Sequence, residues 1–176
     1  MLITEWLDYY KRVTFFYAGP NQLPMSLQSV RDHFDQLGLD LPILETTALT
    51  PTVELAALAH GVEPGRIAKT LAFRLGDGRV VLLVASGHAR IDNAKFKTAL
   101  GKGKMLPTQE VEHLTGHPVG GVCPFGLAQA LPIYLDQSLQ AFDHVLPAAG
   151  SINSAVRISP AMLEQITGGV WVDACR

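Results

Sequence analysis

Lys69 is the first residue whose sequence surroundings indicate chemistry. Residues 66–73 alternate as a β-strand does, with Ile67, Lys69, Leu71 and Phe73 on one face. Lys69 carries the only charge on this otherwise apolar face. Either its stem packs along apolar surface while its head reaches water at the sheet edge, or the ammonium is held at a pocket for an anionic or electron-rich ligand. The strand by itself leaves both interpretations open.

A second candidate is the loop at residues 120–126, Gly-Gly-Val-Cys-Pro-Phe-Gly. Glycines let a backbone approach a ligand closely and leave N–H groups free to meet a carbonyl or a developing oxyanion. The alternative is a tight connection that needs positive φ angles. No Gly-Lys-Ser/Thr follows the loop, so it is not a nucleotide-binding P-loop.

A third candidate is the loop at residues 146–154, in which small residues predominate. Small side chains leave room for a ligand, and Ser151, Asn153 and Ser154 offer neutral hydrogen bonds. An ordinary polar turn is the alternative interpretation.

A run of basic residues follows the central strands. Residues 90–104 contain one acid, Asp92, and five bases, a local charge of +4 in a chain of net charge −2. Such a run is typical of phosphate binding, although a solvated helix face has the same appearance. Its members are Arg90, Lys95, Lys97, Lys102 and Lys104.

Composition excludes several other classes. The chain of 176 residues is 48% hydrophobic and 17% charged, which is typical of one globular domain. Cys123 and Cys175 have no metal-ligand spacing, and the six histidines form no metal motif, so we expect neither metal nor cofactor. No apolar run is long enough to span a bilayer and no signal peptide is present. We therefore expect a cytoplasmic location and no membrane partner.

The pattern of helices and strands predicts the α+β class. A helix is expected from Met25 with Ser26 as its N-cap, another from Thr50-Pro51 to about residue 60, and a third after Asp92. A hairpin turn at residues 76–78 leads back into the nearly all-apolar strand 79–86, which should be central. Further strands are expected at residues 133–136, 141–146, 155–158 and 170–173, with a helix after Ser159.

These elements mix irregularly, so we expect a single compact domain, a mixed β-sheet with surrounding helices. The domain should comprise residues 25–176. Residues 1–24, which end in a linker rich in glycine and proline, should form an N-terminal extension.

Three stretches of the chain together resemble a known family. They are residues 61–71 (Gly-Val-Glu-Pro-Gly-Arg-Ile-Ala-Lys-Thr-Leu), residues 120–126 and residues 149–151 (Ala-Gly-Ser). In this order and spacing they resemble the YbaK/ProX superfamily, freestanding aminoacyl-tRNA deacylases related to the editing domain of bacterial-type prolyl-tRNA synthetases. The resemblance extends over residues 26–175. It implies a compact fold, one pocket at the sheet, and hydrolysis of the ester between a wrong amino acid and tRNA without a metal.

The resemblance also implies roles for individual residues. Lys69 occupies the position of the essential lysine of the family. The glycine loop that lines the aminoacyl site is matched by Gly120, Gly121, Val122, Cys123 and Pro124. Gly150 and Ser151 match the loop on the far side. Cys123 stands where Ser or Thr is frequent, so it is expected to line the pocket and not to act as a nucleophile.

The partner implied is mischarged tRNA, whose phosphates the basic run would contact, with an aminoacyl-tRNA synthetase as a further candidate. Leu146-Pro147 stands where the alanine-editing branch usually carries His-Pro, which favours Cys-tRNA(Pro) or a similar small misacylated tRNA. Two other hypotheses stay open. One is a non-hydrolytic module that binds aminoacyl-tRNA or regulates, and the other is a metabolite-binding domain in which the basic run has no role.

Overall fold

The computed structural model describes residues 25–176. The predicted extension, residues 1–24, lies outside the described residues, so the domain boundary stays a prediction. Within the described part, two 3₁₀ turns, Pro64–Arg66 and Gln137–Ala141, accompany five α-helices. The helices are α1 (Met25–Gln36), α2 (Val53–His60), α3 (Asn93–Leu100), α4 (Thr108–Thr115) and α5 (Pro160–Thr167).

Within residues 25–176, eight strands form two sheets. A two-stranded sheet pairs β1 with β7, and the larger sheet has the order β4-β2-β3-β5-β8, with β6 also pairing with β2. The strands are β1 (Ile43–Glu45), β2 (Ile67–Leu75), β3 (Val80–Ser86), β4 (Gly103–Met105), β5 (Ile133–Asp136), β6 (Leu146–Pro147), β7 (Ser154–Val156) and β8 (Val170–Val172).

The larger sheet is mixed, which confirms the predicted α+β class. β2 and β3 form an antiparallel hairpin, whereas β5 runs parallel to β3 and β8 runs parallel to β5. β3 lies between β2 and β5, and its residues from Val81 to Ser86 are all buried. An apolar strand with neighbours on both edges and cover on both faces is central, as the sequence predicts.

The alternation of β2 sends its side chains into different hydrophobic clusters. Phe73 packs against Phe96 of α3, with ring centroids 4.7 Å apart. Ala72, one residue earlier, belongs to a cluster with Val111 of α4 on the opposite face. Ala68, also on that second face, packs in the cluster that contains α1 and α5. The face that carries Lys69 is therefore the face that α3 covers.

Three local expectations are wrong, two of them because of a polar contact with a residue distant in sequence. Ser26 is not an N-cap, since it lies inside α1 and its hydroxyl donates to the Gly150 carbonyl. The cap of α2 is Thr52 and not Thr50, whose hydroxyl donates to the Ile152 carbonyl at 2.6 Å. Residues 141–146 are not one strand, since residue 141 ends the second 3₁₀ turn, a loop follows, and only Leu146 belongs to β6.

No helix among residues 25–176 combines the length and the apolar character that crossing a bilayer requires.

We expect Phe125→Ala to lower the free energy of unfolding by about 3–5 kcal/mol, because it leaves a cavity where a large ring was buried. Phe125 is fully buried, and its ring meets that of Phe34 edge-on at 5.1 Å. Urea denaturation measures the change. Leu58→Ala is the matched control, since that side chain is 80% exposed and should cost less than about 0.5 kcal/mol. Equal losses in the two variants would contradict this placement of the core.

Candidate active site

A cleft of about 290 Å³ opens along one edge of β2. On this edge β6 pairs only with Ile67 and Ala68, and β4 begins its pairing at Phe73. The residues between them, 69–72, therefore have no neighbouring strand on that side and line the cleft. The gap between two short strands is what creates the site.

The main chain of Thr70 points into this gap. The carbonyl of Ala72 accepts from the N–H of Leu106 at 2.9 Å, and so it faces away from β3. Main-chain groups two residues apart on a strand face the same edge, so the N–H and C=O of Thr70 face the open edge as well. Thr70 Oγ1 is also buried without a hydrogen-bond partner among the described residues. The cleft thus presents a free donor and free acceptors to a ligand.

Lys69 lines the cleft, and its ammonium is held by main-chain carbonyls. Nζ donates to Gly87 O at 3.0 Å and to Ala89 O. Because an ammonium has three N–H donors, one remains for a ligand. Burial lowers the pKa of Lys69 from its ordinary value, and no carboxylate of residues 25–176 lies within ion-pairing distance of it. The chain therefore places a positive charge at the cleft with no acidic partner in contact.

The glycine loop forms the wall opposite the edge of β2. Gly120 and Val122 line the cleft, and Gly120 has a φ of +93°, which favours glycine. Gly121 packs behind them, where a Cβ would lie 2.7–3.0 Å from the main chain of Ser151. The two loops predicted to form the site therefore touch each other, and only glycine permits that approach.

Cys123 is not part of the lining, contrary to the expectation from sequence. Its side chain is completely buried, and burial raises the pKa of its thiol to about 12. The ring of His117 lies beside it, with Nδ1 3.7 Å from Sγ and within 3.4 Å of the Cys123 N–H, from which it accepts. Burial lowers the pKa of His117 to about 4. Because both groups are neutral near pH 7, this pair has no thiolate to act as a nucleophile. Pro124, which follows, is also buried outside the lining.

The far loop, residues 146–154, contains the predicted site residues Gly150 and Ser151. Gly150 and Ser151 are buried and do not line the cleft. The Ser151 hydroxyl lies 2.7 Å from Ser154 Oγ, and Ser154 does reach the cleft. The carbonyl of Gly150 accepts a hydrogen bond from the hydroxyl of Ser26, which fixes the loop to α1. Both residues therefore hold the wall in place and do not meet a ligand directly.

One end of the basic run adjoins the residue that holds Lys69, and the other end adjoins the lining of the cleft. Arg90 directly follows Ala89, whose carbonyl holds Lys69, and Lys104 directly precedes Met105, which lines the cleft. Lys95 pairs with Asp173 at 2.8 Å. The remaining four members have no acid of residues 25–176 within ion-pairing distance; they are Arg90, Lys97, Lys102 and Lys104. The structure therefore separates one neutralised lysine from four uncompensated charges.

The sequence did not indicate several polar lining residues, among them His60 and Thr70. His60 is the last residue of α2, and burial lowers the pKa of its imidazole. Nothing in its spacing distinguished it from an ordinary helix end. Thr70 follows Lys69 in residues 61–71, one of the stretches that resemble the family. Its hydroxyl lies between Ala68 and Ala72 on one face of the strand, and this polar residue among alanines could have indicated it.

The rest of the lining is largely apolar. It includes Val53 and Ala56 of α2, Leu106 and Val111 on the side of α4, and Leu146 and Ala155 on the side of β6 and β7. The described lining residues include no carboxylate and no thiol. Among residues 25–176 no group of three histidine, cysteine or acidic residues could hold a metal ion.

The model of the aminoacyl-tRNA editing domain matches residues 47–166, more than half of the chain. The chain belongs to this family. The match spans Lys69, the glycine loop and the loop at residues 149–151, so it confirms the family resemblance that these stretches predicted.

Individual relatives agree with this assignment. The chain is 47% identical over 154 residues to YwhH of Bacillus subtilis, named an uncharacterized protein, covering 86% of this chain and 98% of that one. It is 29% identical over 124 residues, 69% of this chain and 76% of the other, to an Enterococcus faecalis protein named "Putative Cys-tRNA(Pro)/Cys-tRNA(Cys) deacylase EbsC". The crystal structure of "a putative trans-editing enzyme for prolyl tRNA synthetase" superposes with a TM-score of 0.80 at 34% identity, over 88% of this chain and 99% of that chain.

We expect the buried His117 to make the fold less stable in acid. Its pKa is about 4 in the fold, against about 6.5 in the unfolded chain. Below about pH 6.5 the unfolded chain therefore binds a proton that the fold rejects, and stability falls until about pH 4. His117→Asn, which keeps an acceptor near the Cys123 N–H, should reduce this acid loss by about 2 kcal/mol. Urea unfolding of both proteins between these pH values tests it, and an identical pH slope would refute it.

Proposed function

We propose that this chain is a trans-editing deacylase that hydrolyses the ester of mischarged aminoacyl-tRNA, with Cys-tRNA(Pro) as the first candidate substrate. The observation that carries the proposal is Lys69, which lines the cleft between the open edge of β2 and the glycine loop and whose ammonium has no acid of residues 25–176 within ion-pairing distance. Membership of the aminoacyl-tRNA editing family supports the class of substrate.

The proposed reaction requires few chemical groups from the protein. An aminoacyl ester is already activated, so orientation and stabilisation of developing charge supply most of the catalysis. Lys69 would stabilise negative charge, either on the tetrahedral intermediate or on the terminal adenosine. The main-chain N–H of Thr70 at the open edge and the glycine loop opposite would hold the ester between them.

The attacking group in this proposal is water or a group of the substrate itself. The described lining holds no thiol and no carboxylate, and the thiol of Cys123 is buried away from it. A covalent acyl-enzyme would require an activated side chain, and none of the lining serine and threonine hydroxyls is hydrogen-bonded to a basic side chain of residues 25–176. The arrangement therefore favours direct attack on the ester, which for a cysteinyl ester includes attack by the substrate thiol.

The size and the character of the cleft favour a small substrate side chain. Its volume of about 290 Å³ lies at the low end of the usual range for ligand pockets, about 300–1,000 Å³. Its walls near Leu146, Ala148 and Val122 are apolar and neutral. Such walls distinguish amino acids that differ by one methylene by only about 1–3 kcal/mol, so they would accept cysteine without excluding every similar residue.

The four uncompensated bases of the run would hold the phosphates of the tRNA. They begin next to the carbonyl that anchors Lys69 and end next to Met105, which lines the cleft. A backbone crossing this surface would deliver its aminoacyl end to the cleft. A synthetase as a delivery partner is supported by the likeness to a protein described as a trans-editing enzyme for prolyl-tRNA synthetase.

Lys69→Met should lower the single-turnover rate of deacylation by at least about 100-fold, the cost of losing one charged donor at a developing oxyanion. The parent and the variant would be tested on Cys-, Ala-, Ser- and Pro-tRNA(Pro) and on Cys-tRNA(Cys). Arg79→Met is the control, because it removes an exposed base outside both the cleft and the basic run and should leave the rate unchanged. Binding without hydrolysis by the parent would instead support the non-hydrolytic module.

Neutralising the run should weaken tRNA binding in proportion to its free charges. Replacing Lys97, Lys102 and Lys104 together by Gln should reduce the slope of log affinity against log salt by roughly 2–3. Lys95→Gln should change the slope by much less, because Asp173 already neutralises that ammonium. Filter binding over a series of salt concentrations measures both. Lys97→Gln is the matched single variant, and equal effects of Lys95→Gln and Lys97→Gln on the slope would show that the run does not contact phosphate as proposed.

A further inference from the structure

The position of the Lys69 ammonium depends on a loop and not on a counterion. Its two acceptors, the carbonyls of Gly87 and Ala89, belong to residues 87–92, here termed the lysine loop. A lysine head is a point charge on a flexible four-carbon stem, so its location is set by the acceptors around it. Whatever fixes the lysine loop therefore fixes the charge at the cleft.

The start of the lysine loop is held from β5. Ser86, the last residue of β3, donates its N–H to Ser138 Oγ at 3.2 Å and its hydroxyl to Gly65 O at 2.7 Å. The N–H of Ser138 in turn donates to Asp136 Oδ1 at 3.0 Å. One oxygen of Asp136 thus supports the point at which the loop leaves the sheet.

The end of the lysine loop is held by residues 173–176, here termed the strap. Arg90 and Arg176 exchange two main-chain hydrogen bonds of 3.0 and 2.9 Å, and Asp92 N–H donates to Ala174 O at 3.0 Å. The N–H of Ala174 donates to Asp136 Oδ2 at 2.9 Å. The second oxygen of Asp136 therefore supports the strap.

We propose that Asp136, acting through the strap and through Ser138, is a positioning residue for the Lys69 ammonium. Its side chain is almost completely buried, and its two oxygens each bind one of the two arms that hold the lysine loop. None of these groups lines the cleft, so their effect reaches a substrate only through the place of Lys69. The inference rests on the proposed function for the role of Lys69 in hydrolysis, but not for its position.

The test compares two substitutions at one position of the strap that differ in a single main-chain N–H group. Arg176→Pro removes the N–H that donates to Arg90 O, whereas Arg176→Ala keeps it and removes only the exposed side chain. Asp136→Asn is the second variant, because a carboxamide keeps one oxygen acceptor but cannot accept from both Ser138 and Ala174. Each is compared with the parent as the full chain, after circular dichroism shows that it is folded.

Two measurements are made on each protein. The first is the rate at which an amine-reactive reagent labels Lys69, followed by mass spectrometry. The second is single-turnover deacylation over a range of aminoacyl-tRNA concentrations. Arg176→Pro and Asp136→Asn should label Lys69 several-fold faster and lower the maximal deacylation rate by at least about tenfold with KM unchanged. Arg176→Ala should match the parent in both measurements.

The proposal is overturned if Arg176→Pro labels Lys69 at the parental rate, or if Arg176→Pro and Arg176→Ala change both measurements equally. A rise in KM with an unchanged maximal rate also overturns it, because that pattern reports binding and not the placement of the charge. If the parent deacylates none of the tRNAs, the proposed function fails, and the labelling rates alone still decide whether the strap positions Lys69.

Discussion

The interruption on one edge of β2 is the constraint on which the rest of the site depends. Strand β6 covers the first two residues of that edge and β4 covers the last three, so residues 69–72 keep a free edge inside an otherwise paired sheet. A free strand edge offers main-chain donors and acceptors in a fixed row. Here the row is short, with the N–H and C=O of Thr70 at its centre, and helices and loops enclose it, so it can serve a small ligand and not another strand.

The charge of Lys69 is stabilised in an unusual way for a half-buried lysine. An ammonium removed from water is normally paired with a carboxylate, but Lys69 is solvated by two main-chain carbonyls instead. Carbonyl dipoles stabilise the cation without cancelling its charge, so a positive field remains available in the cleft. The cost is structural, because a loop must be held in place by groups that never reach the site. Asp136 lies where both arms of that support meet.

The two remaining walls illustrate a division between contact and support. In the glycine loop, Gly120 and Val122 face the cleft while Gly121 allows the loop to lie against Ser151. In the far loop, Ser154 faces the cleft while Gly150 and Ser151 tie it to α1 and to its own turn. A stretch matched to a family motif therefore contains residues that meet a ligand and residues that shape the wall, and the motif does not say which is which.

The sequence by itself determined the class of fold, the central strand β3, the hairpin and most helix ends, because periodicity and local caps such as Asp92 act over a few residues. It also determined the family, through three stretches whose order no local rule explains. The tertiary structure decided everything that depends on contact between distant segments. Because of those contacts, Cys123 is buried in the core and Ser26 binds the Gly150 carbonyl instead of capping its helix. In the same way, Asp173 neutralises Lys95, and His60 lines the cleft. The burial of a residue and its hydrogen-bond partners depend on segments that are distant in sequence, so the residue pattern of its own segment cannot predict them.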